Sequence, residues 1–386
     1  MPETIHYLDN SATTRPRPEV LAAMTAVLTE EFGNPSSAHR LGVEAEKRLQ
    51  EARAAVARLI GARTEEVHFT SGGTEAINTA LFGVARAYGR RGRHIITQAT
   101  EHPATLEACR ALAAAGFQVT FLPVDRAGRV DPDQVAKALR RDTILVSLMA
   151  VNNEIGTIQP VAEVGRLLRG RETLLHVDAV QAVGKLPLRV DDLGCHLLSL
   201  SGHKIHGPKG VGALYIRTGV RIAPLLYGGG QEAGLRSGTE NMPGIVGLGT
   251  AAALALAELD QVPERLRTLK RRLLEGLEQS GLEYAINGPD PEEGAPHILN
   301  VSFRGVPRGE VLLHALEARQ VFVSTGSACH SRRRTVSHVL EALGLPEDRA
   351  TGAIRVSLSP LTTEADIDAF VAAVTEVVPE LRRVMR

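Results

Sequence analysis

The sequence predicts an α/β protein: a large domain with a mainly parallel, helix-covered sheet, and a smaller α+β domain. Two observations predict this fold. Short apolar runs alternate with helical patterns over the first two thirds of the chain, which is typical of parallel sheets. From about residue 251 this alternation gives way to a long amphipathic helical pattern. The 386 residues are enough for two or three domains, and we predict a boundary near residue 255.

The strand candidates of the large domain, residues 16–255, come at intervals that leave room for helices between them. They are the runs 67–70, 94–97, 118–122, 143–148 and 174–177. In parallel sheets active residues gather at the carboxyl ends of the strands. The polar residues that follow these runs are therefore the first candidates for a functional site.

The small domain, residues 256–386, begins with leucines at helical spacing: Leu266, Leu269, Leu273 and Leu277. Strands are predicted within 297–303 and 354–360, and helices over 309–318 and 364–378. This domain carries a polar segment at 324–334. Residues 1–15 are predicted to pack against it.

Composition excludes several classes of function. The 44 basic residues balance 44 acidic ones, and aromatic residues make up 3% with no tryptophan, so neither a basic field nor a stacking platform for nucleic acid is predicted. No signal pattern opens the chain, and the longest uncharged stretch, 241–257, is too short for a membrane span. Three cysteines without paired spacing argue against disulfides and metal sites. The composition favours a cytoplasmic enzyme or binding protein.

Lysine is rare, with only six in the chain, and one of them stands out. Lys47, Lys137 and Lys270 fall in amphipathic helical patterns and are predicted to lie on solvated faces. Lys204 instead follows an apolar strand and a Ser-Gly-His turn in LLSLSGHKIHGPKGVG. A lysine desolvated in such a turn can form a Schiff base, although a surface lysine in a glycine-rich loop fits the local sequence equally well.

Two further motifs follow strand candidates. TSGGTEAIN, residues 70–78, joins a strand to a helix, so that Gly73 and Thr74 could present N–H groups to an anion; a plain helix cap is the simpler alternative. In LLHVDAVQ, Asp178 ends an apolar strand, where an unpaired carboxylate is costly to bury. It either caps the next helix or faces a cation such as a protonated pyridine nitrogen.

Taken together, these motifs resemble one family. The chain is similar to the class V aminotransferase group of fold-type I pyridoxal phosphate (PLP) enzymes, and within it to cysteine desulfurases of the NifS/IscS kind. The resemblance runs from YLDNSATTRP (7–16) to IRVSLSP (354–360). Eight motifs between them stand in the family's order: GNPSSAHRLG, TSGGTEAIN, TEHPA, VNNEIGTIQP, HVDAVQ, SGHKIHGPKGVG, GGGQEAGLRSGTEN and STGSACHS.

The resemblance implies roles for particular residues. Lys204 would hold PLP and move the substrate Cα proton, Asp178 would pair with the pyridinium nitrogen, and His102 would stack over the ring. The residues implied around the phenolic oxygen and the phosphate are Asn153 and Gln181, and Gly73, Thr74, Ser201 and His203. Thr239 would reach the cofactor phosphate of a second subunit, which implies a homodimer. Arg355 would bind the substrate carboxylate in a bidentate pair, with Asn153 as a further substrate contact.

Cys329 decides which reaction the resemblance implies, because a fold does not fix chemistry. Cys109 and Cys195 lie in apolar patterns and are predicted to be buried and inert. Cys329 lies in the small, polar run STGSACHS and is followed by arginines at 332–334, and nearby cations favour a thiolate. Cys329 would attack the sulfur of L-cysteine, with His102 as the acid–base group for the thiol protons, leaving a persulfide and L-alanine.

The sulfur would then pass to an acceptor protein, such as an iron–sulfur scaffold or another thiolation partner. The arginines at 332–334 are either a solvated patch or a docking site for an acidic acceptor. An aminotransferase or a selenocysteine lyase of the same fold remains the alternative function. A PLP-binding or sulfur-relay protein without turnover is a second alternative.

Overall fold

The computed structural model describes residues 4–325 and 336–384. The strands are β1 His6–Tyr7, β2 Val67–Thr70, β3 His94–Gln98, β4 Gln118–Leu122, β5 Thr143–Met149, β6 Leu174–Asp178, β7 Leu197–Ser201, β8 Gly212–Ile216, β9 Tyr284–Ile286, β10 Ile298–Phe303, β11 Val321–Phe322 and β12 Ala353–Ser357. The α-helices are α1 Pro18–Thr29, α2 Arg40–Ile60, α3 Gly73–Tyr88, α4 Pro103–Ala114, α5 Pro132–Ala138, α6 Val161–Leu167, α7 Val190–Leu193, α8 Met242–Glu258, α9 Val262–Gln279, α10 Gly309–Glu317, α11 His338–Ala342, α12 Glu347–Thr351 and α13 Glu364–Val384.

Seven strands form the central sheet, in the order β2-β8-β7-β6-β5-β3-β4. The five strands from β7 to β4 are parallel, whereas β8 runs antiparallel to both of its neighbours. Strands β5, β6 and β7 are buried along their whole length, which explains why they read as continuous apolar runs. All five predicted runs are strands, which confirms the mainly parallel α/β fold.

Helices cover both faces of this sheet. Apolar residues of α1, α2 and α8 join one core with the sheet, and residues of α3 and α4 form a second core against the opposite face. A third core combines α9, α10 and α13 with β10 and β12, and it includes Leu8 from the start of the chain. Strand β1 pairs with β11, so residues 6–8 are attached to this C-terminal core. The division at residue 255 stays a prediction.

Two local predictions are wrong. Lys270 does not lie on a solvated face of α9: it is buried, and its Nζ donates to the carbonyl oxygens of Pro291 and Ala295 at 2.8 and 3.1 Å. Its long aliphatic chain follows the leucine stripe of α9, and the two carbonyls accept hydrogen bonds from its amine.

The helix predicted over 364–378 is longer: α13 continues past Pro379 to Val384. Arg382 Nε donates to Arg304 O at 2.6 Å and holds the last turn in place.

Among residues 4–325 and 336–384, no single helix has the length and apolar character needed to cross a membrane. Helices α8 and α9 reach that length and apolarity only as a pair, which is bent by 76°.

Candidate active site

A cavity of about 540 Å³ opens at the carboxyl ends of β5, β6 and β7. Ten of the twelve residues singled out from the sequence line it: Gly73, Thr74, His102, Asn153, Asp178, Gln181, Ser201, His203, Lys204 and Arg355. Parallel strands deliver their following residues to one edge of a sheet, which brings together motifs that lie far apart along the chain.

Lys204 lies in a tight turn, residues 202–204, directly after β7. Its Nζ donates to the carbonyl oxygens of Ser11 and Ala12 at 2.5 and 2.8 Å. The main chain of this turn is held by the same N-terminal segment, because Thr14 N and Oγ1 both donate to His203 O, at 2.8 and 2.9 Å. The segment around Ser11 therefore forms part of the site, a contribution that the lysine motif alone does not reveal.

Asp178 ends β6 and is buried in the floor of the cavity. Its Oδ1 accepts a hydrogen bond from Val180 N at 3.0 Å. Burial raises the pKa of Asp178 to about 6, although the Val180 N–H and the positive charge of Lys204 act in the opposite direction. A carboxylate held in this position would be stabilised by a cation in the cavity.

Buried polar atoms without partners lie next to Asp178. Gln181 Nε2 donates to Ser11 O at 2.9 Å, but Gln181 Oε1 and Ser11 Oγ have no hydrogen-bond partner within the described part of the chain. Buried polar groups are normally paired. Their position on the cavity wall indicates that a polar ligand completes the site.

The start of α3 and the end of β7 form an anion cradle. Gly73 and Thr74 open α3, a 16-residue helix whose N-terminus favours negative charge. A Cβ added at Gly73 would lie 2.9 Å from Val180 Cγ2. The close packing of residue 73 against Val180 therefore requires a residue without a side chain. Ser201 lies beside this cradle, with its Cβ 3.5 Å from a Cβ built at Gly73, and His203 lines the same cavity. Burial, and to a lesser degree the charges of Lys204, Lys209 and Lys185, lowers the pKa of His203 to about 4, so that its ring is neutral at pH 7.

His102 caps α4 through its ring. Its Nδ1 accepts from Ala104 N at 3.1 Å, so the proton of the neutral ring lies on Nε2.

The residue before His102, Glu101, is fully buried, and its Oε1 accepts from Gln98 Nε2 at 2.9 Å and Met149 N at 2.7 Å. Burial, reinforced by Asp178, raises the pKa of Glu101 to about 8.

Arg355 projects from β12, and its side chain is almost fully buried. Its Nη2 pairs with Asp9 Oδ1 at 2.6 Å, and its Nη1 donates to the main-chain oxygen of Asn153 at 2.9 Å. Nε is a buried donor without a partner among the described residues. The structure thus shows Asn153 contacting Arg355 through its backbone. The proposed contact of its side chain with a ligand stays a prediction.

Sequence analysis missed a group of residues at the start of α11. Ser337 Oγ donates to Glu154 Oε2 at 2.5 Å, and His338 Nε2 donates to Glu101 O at 3.0 Å. Both Ser337 and His338 line the cavity. A Ser-His pair before a short helix carries no signal of its own, because its partners lie some 180 to 240 positions earlier in the chain.

Of the two remaining predicted residues, Thr239 is not among the residues that line the cavity, and Cys329 is not described. Thr239 is exposed and follows Gly238 at the rim of a separate, smaller cleft. Cys329 and the arginines at 332–334 lie outside the described residues. Cys109 and Cys195 are buried, as predicted, and burial raises the pKa of each thiol to about 12.

Comparison with known proteins identifies relatives along almost the whole chain. The sequence pattern of the aminotransferase class-V family matches residues 6–370. The chain is 48% identical to a cysteine desulfurase IscS from Dictyoglomus turgidum, over 98% of this chain and 95% of that protein. It is 47% identical to a human cysteine desulfurase, over 97% of this chain and 82% of that protein.

Solved structures show the same similarity. A NifS-like protein superposes with a TM-score of 0.91 at 43% identity, covering 98% of this chain and 100% of that one. A structure described as SspA in complex with cysteine superposes with a TM-score of 0.82 at 35% identity, covering 93% of this chain and 100% of that one.

Proposed function

This chain belongs to the class-V aminotransferase family, and we propose that it is a PLP-dependent cysteine desulfurase. The reaction converts L-cysteine and the Cys329 thiol into L-alanine and a persulfide on Cys329. The observation that carries the proposal is the meeting, in one cavity, of Lys204, Asp178, the anion cradle at Gly73 and the buried Arg355.

The residues of the cavity fit PLP. Burial raises the pKa of Asp178 even against the opposing charge of Lys204, and Gln181 Oε1 and Ser11 Oγ have no hydrogen-bond partner among the described residues. Lys204 would bind the cofactor covalently, Asp178 would pair with its ring nitrogen, and His102 would stack on its ring. The remaining contacts would come from Asn153 and Gln181 at the phenolic oxygen, from Gly73, Thr74, Ser201 and His203 at the phosphate, and from Thr239 of a second subunit at the same phosphate. When bound, PLP supplies an electron sink for negative charge at the substrate Cα.

Arg355 would bind the carboxylate of L-cysteine. Guanidinium groups bind carboxylates through two parallel N–H bonds. Asp9 and Asn153 O hold the guanidinium plane in place, and Nε, which has no partner within residues 4–325 and 336–384, would provide a donor for the substrate. Asp9 competes for Nη2, so the substrate carboxylate must be accommodated beside it.

The chain's own groups handle the protons and the sulfur. The Lys204 amine is the base for the Cα proton. His102 is the acid–base group for the thiol protons, since imidazole titrates near neutrality. The Cys329 thiolate attacks the substrate sulfur: the Cβ–S bond breaks, an S–S bond forms, and the carbon skeleton takes up a proton to leave as L-alanine.

A homodimer would complete the site through Thr239. Several large apolar side chains are exposed on this chain: Leu21, Leu28, Phe32, Val43, Leu226 and Tyr227. Leu226 and Tyr227 immediately precede the segment that carries Thr239, which supports a second copy as the occupant of this surface. Size-exclusion chromatography with light scattering should give a mass twice that of the chain.

The persulfide would pass to an acceptor protein in the cytoplasm, such as an iron–sulfur scaffold. Relatives named cysteine desulfurase IscS support a sulfur acceptor as the partner. Capture of proteins that accept labelled sulfur from the loaded enzyme tests it directly, and the arginines at 332–334 predict transfer that weakens as salt rises.

The function is tested by supplying L-cysteine to the PLP-loaded protein without a keto acid. We expect L-alanine and, with a thiol reductant, an equal amount of sulfide. Cys329→Ser should keep bound PLP and bind L-cysteine but form no persulfide. A requirement for keto acid would indicate an aminotransferase, and full sulfide transfer by Cys329→Ser to a protein acceptor would exclude Cys329 as the nucleophile.

A further inference from the structure

A second lysine lies directly behind Lys204. Lys185 belongs to the turn between β6 and α7, and only 2% of its surface is exposed. Its Nζ donates to the main-chain oxygen of Lys204 at 2.9 Å. Lysine is rarely this buried, because removing its charge from water is costly.

Two of the three carbonyls in the turn that carries Lys204 accept hydrogen bonds from distant parts of the chain. Its first carbonyl, Gly202 O, accepts from Ile205 N and Gly207 N, and its second, His203 O, accepts from Thr14. The third, Lys204 O, accepts from Lys185 Nζ. Every carbonyl of the turn is thus bonded, and only the last one relies on a charged side chain from another part of the sheet edge.

Among the described residues, no carboxylate forms an ion pair with Lys185, and Glu258 pairs with Arg17 instead. A small cavity of about 10 Å³ is lined by Lys185, His206 and an Arg17–Glu258 pair 2.5 Å apart. His206 Nδ1 donates to Arg15 O, which leaves Nε2 as an acceptor, and burial lowers the pKa of this ring to about 4. Burial, followed by the charge of Lys204, lowers the pKa of Lys185 to about 7. The buried Lys185 amine therefore serves as a hydrogen-bond donor to the main chain, and it does not serve as a solubilising charge.

We propose that Lys185 is a positioning residue for Lys204. It fixes the backbone of the turn from behind, while Ser11 O and Ala12 O fix the Nζ end. Hydrogen bonds thus hold Lys204 at its main-chain oxygen and at its Nζ, so that its amine points into the cavity in one orientation. This inference rests on the proposed function of Lys204 as the residue that binds PLP.

Lys270 provides a matched control. It is also a buried lysine, with 4% of its surface exposed, and its Nζ also donates to backbone carbonyls, those of Pro291 and Ala295. Burial lowers its pKa as well, to about 8. It does not line the active-site cavity. A lysine that only supports the fold should behave like Lys270.

The experiment compares Lys185→Met, Lys185→Gln and Lys270→Met. Each apo-protein is mixed with PLP, incorporation is followed by absorbance, and the PLP-modified lysine is located by borohydride reduction and peptide mapping. We expect Lys185→Met to slow incorporation at Lys204 and to lower kcat, each by roughly 10- to 100-fold, with KM for L-cysteine changed less than about twofold. Lys185→Gln, which keeps a neutral donor, should recover part of both losses.

Thermal midpoints of the apo-proteins separate positioning from stability. Both Met variants should lose similar stability, but Lys270→Met should incorporate PLP at the wild-type rate. Equal behaviour of the two Met variants in incorporation and kcat would overturn the proposal. If Lys185→Met is insoluble, Lys185→Gln decides: wild-type incorporation and kcat in that variant would also overturn it. Failure of the wild-type protein to carry PLP on Lys204 would instead contradict the proposed function.

Discussion

The cavity has two walls that are held in different ways. The sheet wall consists of Asp178, Gln181, Ser201 and Lys204 at the ends of β6 and β7, and it is fixed by the sheet and by the N-terminal segment. The C-terminal wall consists of Ser337, His338 and Arg355, and its side chains reach the rest of the site through hydrogen bonds with Glu154, Glu101 O, Asp9 and Asn153 O. We propose that the sheet wall serves the cofactor, whereas the C-terminal wall serves the substrate and the sulfur.

The largest expected effect comes from the sheet wall. Lys204→Ala removes the amine that would bind PLP and accept the Cα proton, so we expect the absorbance band of lysine-bound PLP to vanish. Alanine production should fall by at least the roughly 10²- to 10⁴-fold that acid–base catalysis supplies. Absorbance and alanine assays measure both results. Retention of the band would show that another lysine binds the cofactor.

The next largest effect tests the C-terminal wall. Arg355→Lys keeps the charge but loses the planar pair of donors, so KM for L-cysteine should rise about 10-fold, or ~1.4 kcal/mol. The absorbance of bound PLP should not change. A changed cofactor spectrum would show that Arg355 also affects the cofactor, and this would contradict the assignment of the C-terminal wall to the substrate.

Glu101 connects the two walls, and its substitution should change how the stability of the protein depends on pH. Its folded-state pKa of about 8 lies above the usual 4.5, so the native state retains a proton that the unfolded state loses. The contribution of Glu101 to the free energy of unfolding is therefore greatest below pH 4.5, falls between pH 4.5 and 8, and is level above. Glu101→Gln cannot ionise, so its advantage in urea midpoint over the wild type should grow from pH 4.5 to 8 and then stay constant. An advantage that does not depend on pH would show that Glu101 is ionised in the folded protein.

The smallest effect concerns the start of α11. Ser337 Oγ caps this helix at Val339 N and donates to Glu154, so Ser337→Ala should cost about 1 kcal/mol in unfolding free energy. Persulfide formation on Cys329 should slow several-fold while PLP binding stays unchanged, because Ser337 follows the cysteine segment closely. Rapid-quench alkylation with L-cysteine measures this rate. A loss of stability with no change in the rate of persulfide formation would show that Ser337 acts only as a helix cap.

Sequence patterns predict the sheet wall well because each of its residues ends or follows a strand. Apolar runs locate β5, β6 and β7, and Asp178 and Lys204 are conspicuous because charge is unusual in such places. The contacts of the C-terminal wall were not predicted. Asp9, Glu154 and His338 acquire meaning only through partners 180 or more positions away. Lys185 and Lys270 were overlooked or misplaced because helical and turn patterns do not show which long side chains turn inward.

A single-turnover experiment tests the central claim most directly. The PLP-loaded protein is mixed with one equivalent of L-cysteine, its thiols are alkylated, and its peptides are mapped by mass spectrometry. We predict one additional sulfur on the Cys329 peptide, one L-alanine per site, and unmodified Cys109 and Cys195, which burial keeps as thiols. Alanine formed without sulfur on Cys329 would contradict the account.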